Sequence, residues 1–460
     1  MTRVPNLQGA RVTVVGLGIE GIDLVRYLTA EGADVTVSDA RTTEQLADTL
    51  ASIEDYAPTL SLGENRVADT ETADAVFVSQ GVPADLPALR AARRADVPIS
   101  SMTQLFLERC PAPIAGITGS SGKTTTTALT AAMLDAEGID YVVGGNIGIG
   151  LLGLLDQIKP ETKVVVELSH TQLEGVDQSP PLACVTNVTP NHLDQYSWAS
   201  YVDLKRRIFQ FQSGDDLAIF NLDDEVTAGF VDEAPGRVAY TSATRDIPGD
   251  GALLTDGELV RREAGSDHAL LGYDEIALRG EHNVANVLSA AAIAARLGAS
   301  DRAIAEAARS FEGVPHRLEP VATIRDVLYV NDSIATTPER TIAGIRSFEE
   351  PLVLLLGGKD KKLPLRELAA LAVERCRAVV TFGDAGDLFA NAVREALDSK
   401  TPTVERVDDL EAAVRTAAQR AQTGDVVLCS PAGTSFDAYR TFEVRGEHFR
   451  TVVAALEAGA

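Results

Sequence analysis

Residues 114–138 read IAGITGSSGKTTTTALTAAMLDAEG, and their order of residue types decides the fold class. Ile114–Thr118 is a short β-run, 119–122 a loop of Gly and Ser, and the residues from Lys123 onward follow a helical pattern. In such a strand–loop–helix, successive backbone N–H groups cradle phosphate oxygens. Lys123 adds a point charge, and the Thr124 hydroxyl reaches Mg²⁺. The generic phosphate-loop pattern asks for Gly at 117, where Ile stands, and Gly116 lies one place early. Without its context the segment is a Gly-Ser turn with a surface Lys. The strand before it and the helix after it favour a phosphate loop formed by Thr118, Gly119, Ser120, Ser121, Gly122, Lys123, Thr124 and Thr125.

Upstream, residues 11–41 read RVTVVGLGIEGIDLVRYLTAEGADVTVSDAR. A β-branched run ends in Gly16-x-Gly18-x-x-Gly21, a helical pattern follows, and a second apolar run ends at Asp39. This βαβ unit uses glycines for a tight turn and close helix packing, and it aims a helix N-terminus at an anion. Alone it suggests a dinucleotide, with Asp39 on a ribose hydroxyl. Another nucleotide-sized ligand, or a bare turn, satisfies the same pattern. The alternation runs to about residue 106, where LERCPAPIAG reads as a linker. Downstream, strands and helices alternate again, interrupted by an acidic stretch with hairpin-like spacing at about 231–275. GVPHRLEP (313–320) reads as a second linker. After it, VLYVNDS, PLVLLLGGKD, AVVTFGD and DVVLCSPAG form a third set of strand-like runs. The expected fold is α/β in three domains: 1–106 Rossmann-like, 107–314 a P-loop ATPase-like domain, and 315–460 Rossmann-like.

The chain has 460 residues, 45% of them hydrophobic and 23% charged, which excludes wholesale disorder and fibrous repeats. Its formal charge of −26 repels nucleic acid and anionic membranes, so any anionic ligand needs a local cationic site. Of 41 basic residues only 8 are Lys, which makes each Lys worth locating. Cys110, Cys184, Cys376 and Cys429 are too scattered for a zinc cluster or disulfide framework. No uncharged run reaches the roughly 20 residues of a membrane span, and a monomeric cytoplasmic protein is expected.

Three further positions carry chemistry. Glu167 closes the β-run in VVVELSHTQLEG, where an α/β enzyme places a metal ligand, although an ordinary solvated Glu fits as well. His192 follows another apolar run in NVTPNHLDQY; a lone His is more often structural. Lys205 stands in Tyr201-x-x-x-Lys205, where a surface helix position is the plain alternative.

Taken in register, these motifs resemble the Mur ligase superfamily of ATP-dependent carboxylate–amine ligases. The resemblance spans nearly the whole chain. It covers TGSSGKT (118–124), GGNIG (144–148), ELSHTQL (167–173), NVTPNHLD (187–194), YVDLK (201–205) and GEHNVANVLSA (280–290). It continues through PHRLE (315–319), NDSIAT (331–336), LLLGGKDK (354–361) and SPAGTSFDAYRTFEVRG (430–446). The N-terminal and C-terminal signatures are most similar to the branch that joins D-glutamate to UDP-N-acetylmuramoyl-L-alanine through an acyl phosphate, in peptidoglycan precursor synthesis. The resemblance implies ATP and Mg²⁺. It puts Ile19, Glu20, Arg41, Ser79 and Gly81 on the uridine nucleotide, and Asn146, Gln172 and His192 at the muramoyl-alanine end. Asn283, Arg317 and Asp332 would contact ATP. Thr336, Lys361, Ser435, Phe436 and Phe442 would line the amino-acid site. Thr124, Glu167, His192 and a carbamylated Lys205 would hold metal, and Lys123, His192 and Lys205 would be catalytic.

Three positions depart from the branch pattern: His170-Thr171 where Ser-Phe is common, Gln80 where Pro is usual, and Ile334 where Lys is common. The last removes a positive charge near the substrates, so L-glutamate is an alternative acceptor. A nicotinamide-dependent oxidoreductase is the alternative from another class, suggested by Gly16–Gly21 alone.

Overall fold

The computed structural model describes residues 6–145, 150–191, 196–278, 280–361, 363–397 and 402–458. It divides into two compact units, Met1–Ile276 with Glu281–Ser310, and Ala277–Gly280 with Phe311–Ala460. Among the described residues the strands form three sheets, one for each α/β domain.

The first sheet holds β1 (Arg11–Val15), β2 (Asp34–Asp39), β3 (Thr59–Leu62), β4 (Ala75–Val78) and β5 (Ile99–Ser101), in the order β3-β2-β1-β4-β5. All of its pairings are parallel. The second sheet holds β6 (Ile114–Thr118), β7 (Tyr141–Gly145), β8 (Lys163–Glu167), β9 (Leu182–Val185), β10 (Leu217–Asn221), β11 (Arg237–Ser242), β12 (Gly251–Thr255), β13 (Glu258–Glu263) and β14 (Ser266–Gly272). Its order is β14-β13-β12-β11-β10-β9-β6-β8-β7. The acidic stretch read as hairpin-like is the antiparallel β12-β13-β14 edge of this otherwise parallel sheet. Both sheets lie in the first unit, where a continuous core joins Val14, Leu24 and Phe77 to Leu151, Val166 and Phe209.

The second unit holds β15 (Glu319–Ile324), β16 (Val327–Asn331), β17 (Leu352–Gly357), β18 (Cys376–Phe382), β19 (Thr403–Arg406) and β20 (Val426–Ala432). Their order is β15-β16-β20-β17-β18-β19, parallel except for β15 with β16. β17 is buried along its length, as expected of a parallel strand covered on both faces. Its period of two sends Leu352, Leu354 and Leu356 into one core and Val353 and Leu355 into the other. In both units several of the motifs end strands, so loops at strand C-termini carry the polar groups. All four cysteines are free, and burial pushes the thiols of Cys184, Cys376 and Cys429 up to about 12, leaving them inert. Among the described residues no helix is long and apolar enough to cross a membrane.

Candidate active site

β6 runs directly into the phosphate loop, and Lys123 opens the helix Lys123–Glu137. Gly122 has φ +80° and packs on Asn286, so an added Cβ would lie 2.2 Å from the Asn286 Oδ1. Gly119, at φ +156°, would meet the Thr186 hydroxyl at 2.0 Å. Neither position admits a side chain. The loop is tied to the chain after β9: Ser120 N–H donates to the Asn187 carbonyl at 2.9 Å, and Ser121 N–H to Asn187 Oδ1 at 3.0 Å. Thr186 Oγ1 donates to the Ser121 carbonyl at 2.7 Å. Thr124 and Thr125 lie in the first helical turn, and Asn283 accepts from Asn286 at 2.9 Å beside the loop.

Two lysine side chains meet at this loop. Lys123 Nζ donates to the Gly119 carbonyl at 2.8 Å and the Ser120 carbonyl at 3.3 Å. Lys205 Nζ reaches the same Gly119 carbonyl at 2.9 Å and Thr118 Oγ1 at 3.2 Å. Lys205 is only 1% exposed, although the helix Trp198–Arg206 that carries it is a surface element. Burial, then the positive charge of Lys123, hold its pKa well below the ordinary value, against the opposing pull of Glu167. Glu167 ends β8 at 1% exposure, so the solvated alternative for it does not hold. The donor types present, the Thr124 hydroxyl and the Glu167 carboxylate, are hard oxygens that suit Mg²⁺. Among the described residues no three His, Cys, Asp or Glu side chains converge as a metal cluster. His192 and Asn146 lie outside the described residues.

At the N-terminal turn, Gly21 packs so close that a Cβ would sit 2.3 Å from the Gly16 carbonyl, which explains that glycine. Asp39 does not present a free acceptor to a ribose. Its carboxylate takes the Leu17 N–H at 2.7 Å and the Nε and Nη2 groups of Arg41 at 3.0 and 2.7 Å. Burial opposes its ionisation, yet these bonds together hold its pKa below the ordinary value. Ser79 Oγ donates to the Gly16 carbonyl at 2.6 Å, Gly81 has φ +81°, and Ile19 is 67% exposed at the helix start.

Two of the sequence departures meet here. Gln80 N–H and Nε2 donate to the Glu20 carboxylate at 3.0 and 2.5 Å, and Gln172 Nε2 adds a bond at 3.3 Å. Thr171 Oγ1 donates to Gln80 Oε1 at 2.8 Å. A Pro at 80 has no N–H to give Glu20, and a Phe at 171 has no hydroxyl to give Gln80. The pair therefore joins the first and second sheets of one unit. Gln172 also completes a capping box with Ser169. Burial raises the pKa of Glu20 despite these donors. In a double-mutant cycle, Gln80→Ala and Thr171→Val should couple by about 0.5–1.5 kcal/mol in unfolding free energy. Additive effects would show the contact to be energetically idle.

In the second unit, the C-termini of β16, β17 and β20 bring three loops together. Lys361 Nζ donates to Thr336 Oγ1 at 3.4 Å, and the backbones of Lys359 and Thr434 pair in both directions at 2.8 and 3.0 Å. Ser435 is buried, Phe436 is 67% exposed, and the Phe442 ring meets His316 edge-on. Asp332 accepts from Ser430 Oγ at 2.7 Å and Leu318 N–H at 3.2 Å. Burial pushes its pKa up to about 6, opposed by these bonds and by the charges of Arg317 and Arg340.

Sequence reasoning missed two anchors. Arg445, fully buried in the helix Phe442–Ala458, donates to Ser333 Oγ and the Ser333 carbonyl at 3.0 and 2.9 Å and to the Gly433 carbonyl at 3.1 Å. It thereby fixes two of the three loops against each other; an Arg inside an otherwise apolar helical face was the available signal. Asp23 accepts from the Leu152 and Gly153 N–H groups at 2.8 and 3.1 Å, joining the first helix to the second sheet. An acidic residue on a helix gave no signal of that partner.

Comparison with known proteins agrees with this organisation. Residues 10–101 match the Mur ligase MurD-like N-terminal domain, 117–294 the Mur ligase middle domain, and 316–433 the Mur ligase glutamate ligase domain. The chain is 40% identical to the UDP-N-acetylmuramoylalanine–D-glutamate ligase of Symbiobacterium thermophilum over 97% of this chain and 98% of that one. It is 39% identical to that of Acetivibrio thermocellus, over 98% of each. Among solved structures, the UDP-N-acetylmuramate–alanine ligase MurC of Thermotoga maritima shares the fold at 21% identity and a TM-score of 0.58, covering 98% of this chain and 100% of that one. Three family domains in order and end-to-end relatives at such identity leave no other assignment: the chain belongs to the Mur ligase family, with the D-glutamate ligases of the MurD group as its relatives.

Proposed function

We propose that this chain is the ATP-dependent ligase that joins D-glutamate to UDP-N-acetylmuramoyl-L-alanine in peptidoglycan precursor synthesis. The observation that carries the reading is Lys123, whose Nζ rests on the Gly119 carbonyl at the mouth of a phosphate loop, with the Lys205 amine on the same oxygen. In a chain of charge −26, that is where a polyphosphate is received. The nicotinamide reading has lost its acceptor, because the Asp39 carboxylate is engaged by Arg41 and Leu17.

In this reading residues 1–106 receive the UDP-sugar, with Ile19, Arg41, Ser79 and Gly81 on the uridine nucleotide and Glu20 beside it. Asn146, Gln172 and His192 face the muramoyl-alanine end. The alanine carboxylate attacks the γ-phosphorus of ATP and ADP leaves, giving an acyl phosphate. The neutral amine of glutamate then adds to the acyl carbon, and the tetrahedral adduct loses a proton from its nitrogen to solvent and expels phosphate as the amide forms. The loop N–H groups and Lys123 hold the γ-phosphate and offset the charge that builds on it. Asn283, Arg317 and Asp332 orient the nucleotide. Thr336, Lys361, Ser435, Phe436 and Phe442 hold the amino acid so that its amine, not water, meets the acyl carbon. Mg²⁺, which Thr124, Glu167, His192 and the carbamate of Lys205 would hold, supplies further neutralisation of phosphate charge.

Phosphate release with ATP and UDP-N-acetylmuramoyl-L-alanine tests the reading. It should require an amino acid and run at least ten times faster with D-glutamate than with L-glutamate. Release without any amino acid overturns the ligase reading, and preference for L-glutamate overturns the stereochemical one.

A further inference from the structure

The loops of the second unit carry a cation that the reaction scheme above leaves unused. Arg340 lies in the first turn of the helix Pro338–Arg346 and is exposed. Its Nη1 donates to the Ile334 carbonyl at 3.1 Å. That same carbonyl accepts the Thr336 N–H at 2.9 Å, and the Thr336 hydroxyl in turn accepts from Lys361 Nζ at 3.4 Å. One backbone oxygen thus holds a guanidinium on the very turn whose side chain stands beside an ammonium.

We infer that Arg340 is a specificity-determining residue of the amino-acid pocket, the second cation that binds an acceptor carrying two carboxylates. The inference rests on the reading that this pocket receives glutamate.

Glutamate arrives with two carboxylates and must attack as a neutral amine, so it carries two negative charges at the moment of reaction. Lys361 offsets one of them. Drawing the other out of water without a partner is expensive, and in a chain of charge −26 the background field adds to the cost. The Ile334 side chain, at the centre of the turn, has no polar atom to offer. Arg340 does: its bond to the Ile334 carbonyl uses one of five N–H groups, and among the described side chains no carboxylate lies within ion-pair distance of it. The remaining fork suits a bidentate carboxylate. The backbone contact also fixes where the guanidinium starts from, which lowers the entropy lost on binding.

The test is steady-state kinetics of phosphate release with each substrate varied in turn. Glutamate-dependent release by the parent enzyme is measured first and tests the underlying reading separately; if it is absent, both readings fall. Arg340→Ala should raise the KM for glutamate about 10- to 100-fold, the loss expected of one charged hydrogen-bonding partner. The KM values for ATP and for the UDP-sugar should stay within twofold. Arg340→Lys should recover part of the loss. Ile334→Lys in the Arg340→Ala background should recover it too, because a cation is then restored on the same turn. A merely structural Arg340 would not produce this split or this rescue. An unchanged KM for glutamate in Arg340→Ala, or an equal rise in the KM for ATP, overturns the inference.

Discussion

Lys123→Ala is expected to lower ATP-dependent phosphate release about 10²–10³-fold while leaving the melting temperature within a few degrees of the parent. The rate effect follows from electrostatics. Lys123 Nζ rests on the Gly119 and Ser120 carbonyls at 2.8 and 3.3 Å, and in the proposed reading it would trade those contacts for phosphate oxygens when ATP enters. Removing one stabiliser of developing charge in a water-poor site costs that order of rate. The fold is spared because the loop is held elsewhere. Asn187 takes the Ser120 and Ser121 N–H groups, Thr186 takes the Ser121 carbonyl, and Asn286 packs under Gly122. A rate within twofold of the parent, measured at saturating ATP, would sink the assignment of the ATP site.

Lys205 gives the second large effect, and there stability and activity move in opposite directions. Its amine is buried beside another cation, so the neutral form dominates far below the pH at which an exposed Lys loses its proton. A neutral amine adds to CO₂, giving R–NH–COO⁻ and releasing one proton. The product is an anionic oxygen donor fit for Mg²⁺. Lys205→Ala should therefore be inactive, and short carboxylic acids such as formate or acetate should restore part of the rate. The pH sign follows from linkage. Between its lowered folded pKa and the ordinary value of 10.5, the unfolded chain binds a proton that the folded chain does not, so stability rises with pH across that window. Below the window the burial penalty is present in full. Lys205→Met keeps the alkyl stem and removes the penalty, so in bicarbonate-free buffer at pH 7 it should melt higher than the parent while remaining inactive. Full activity of Lys205→Ala without additives, or a Lys205→Met protein that melts lower, would refute this account.

Much of the fold was legible because its signals are local. Alternation of buried β-runs with helical periods announced three α/β domains, and Gly119, Gly122 and Gly21 stand where a side chain would strike Thr186, Asn286 or the Gly16 carbonyl. The phosphate loop could be read from one strand, one loop and one helix, even though Ile117 breaks the generic pattern. A loop of that kind depends on backbone N–H groups, which any residue supplies.

The sequence by itself thus determined the fold class, the phosphate loop and the family, since each rests on contacts within a few residues or on ordered motifs along the chain. The tertiary structure alone decided which polar groups meet. It joined Gln80 to Thr171, 91 positions apart, turning two separate departures into one contact. It closed Asp39 with Arg41 and Leu17, buried Arg445 between the Ser333 and Gly433 loops, and carried Arg340 to the Ile334 carbonyl. It also sank Lys205 against Gly119, where desolvation changes its chemistry. The physical reason is the same in each case. A charge or hydrogen bond takes its worth from the dielectric around it and from its partner's distance, and neither is written in the residues on either side.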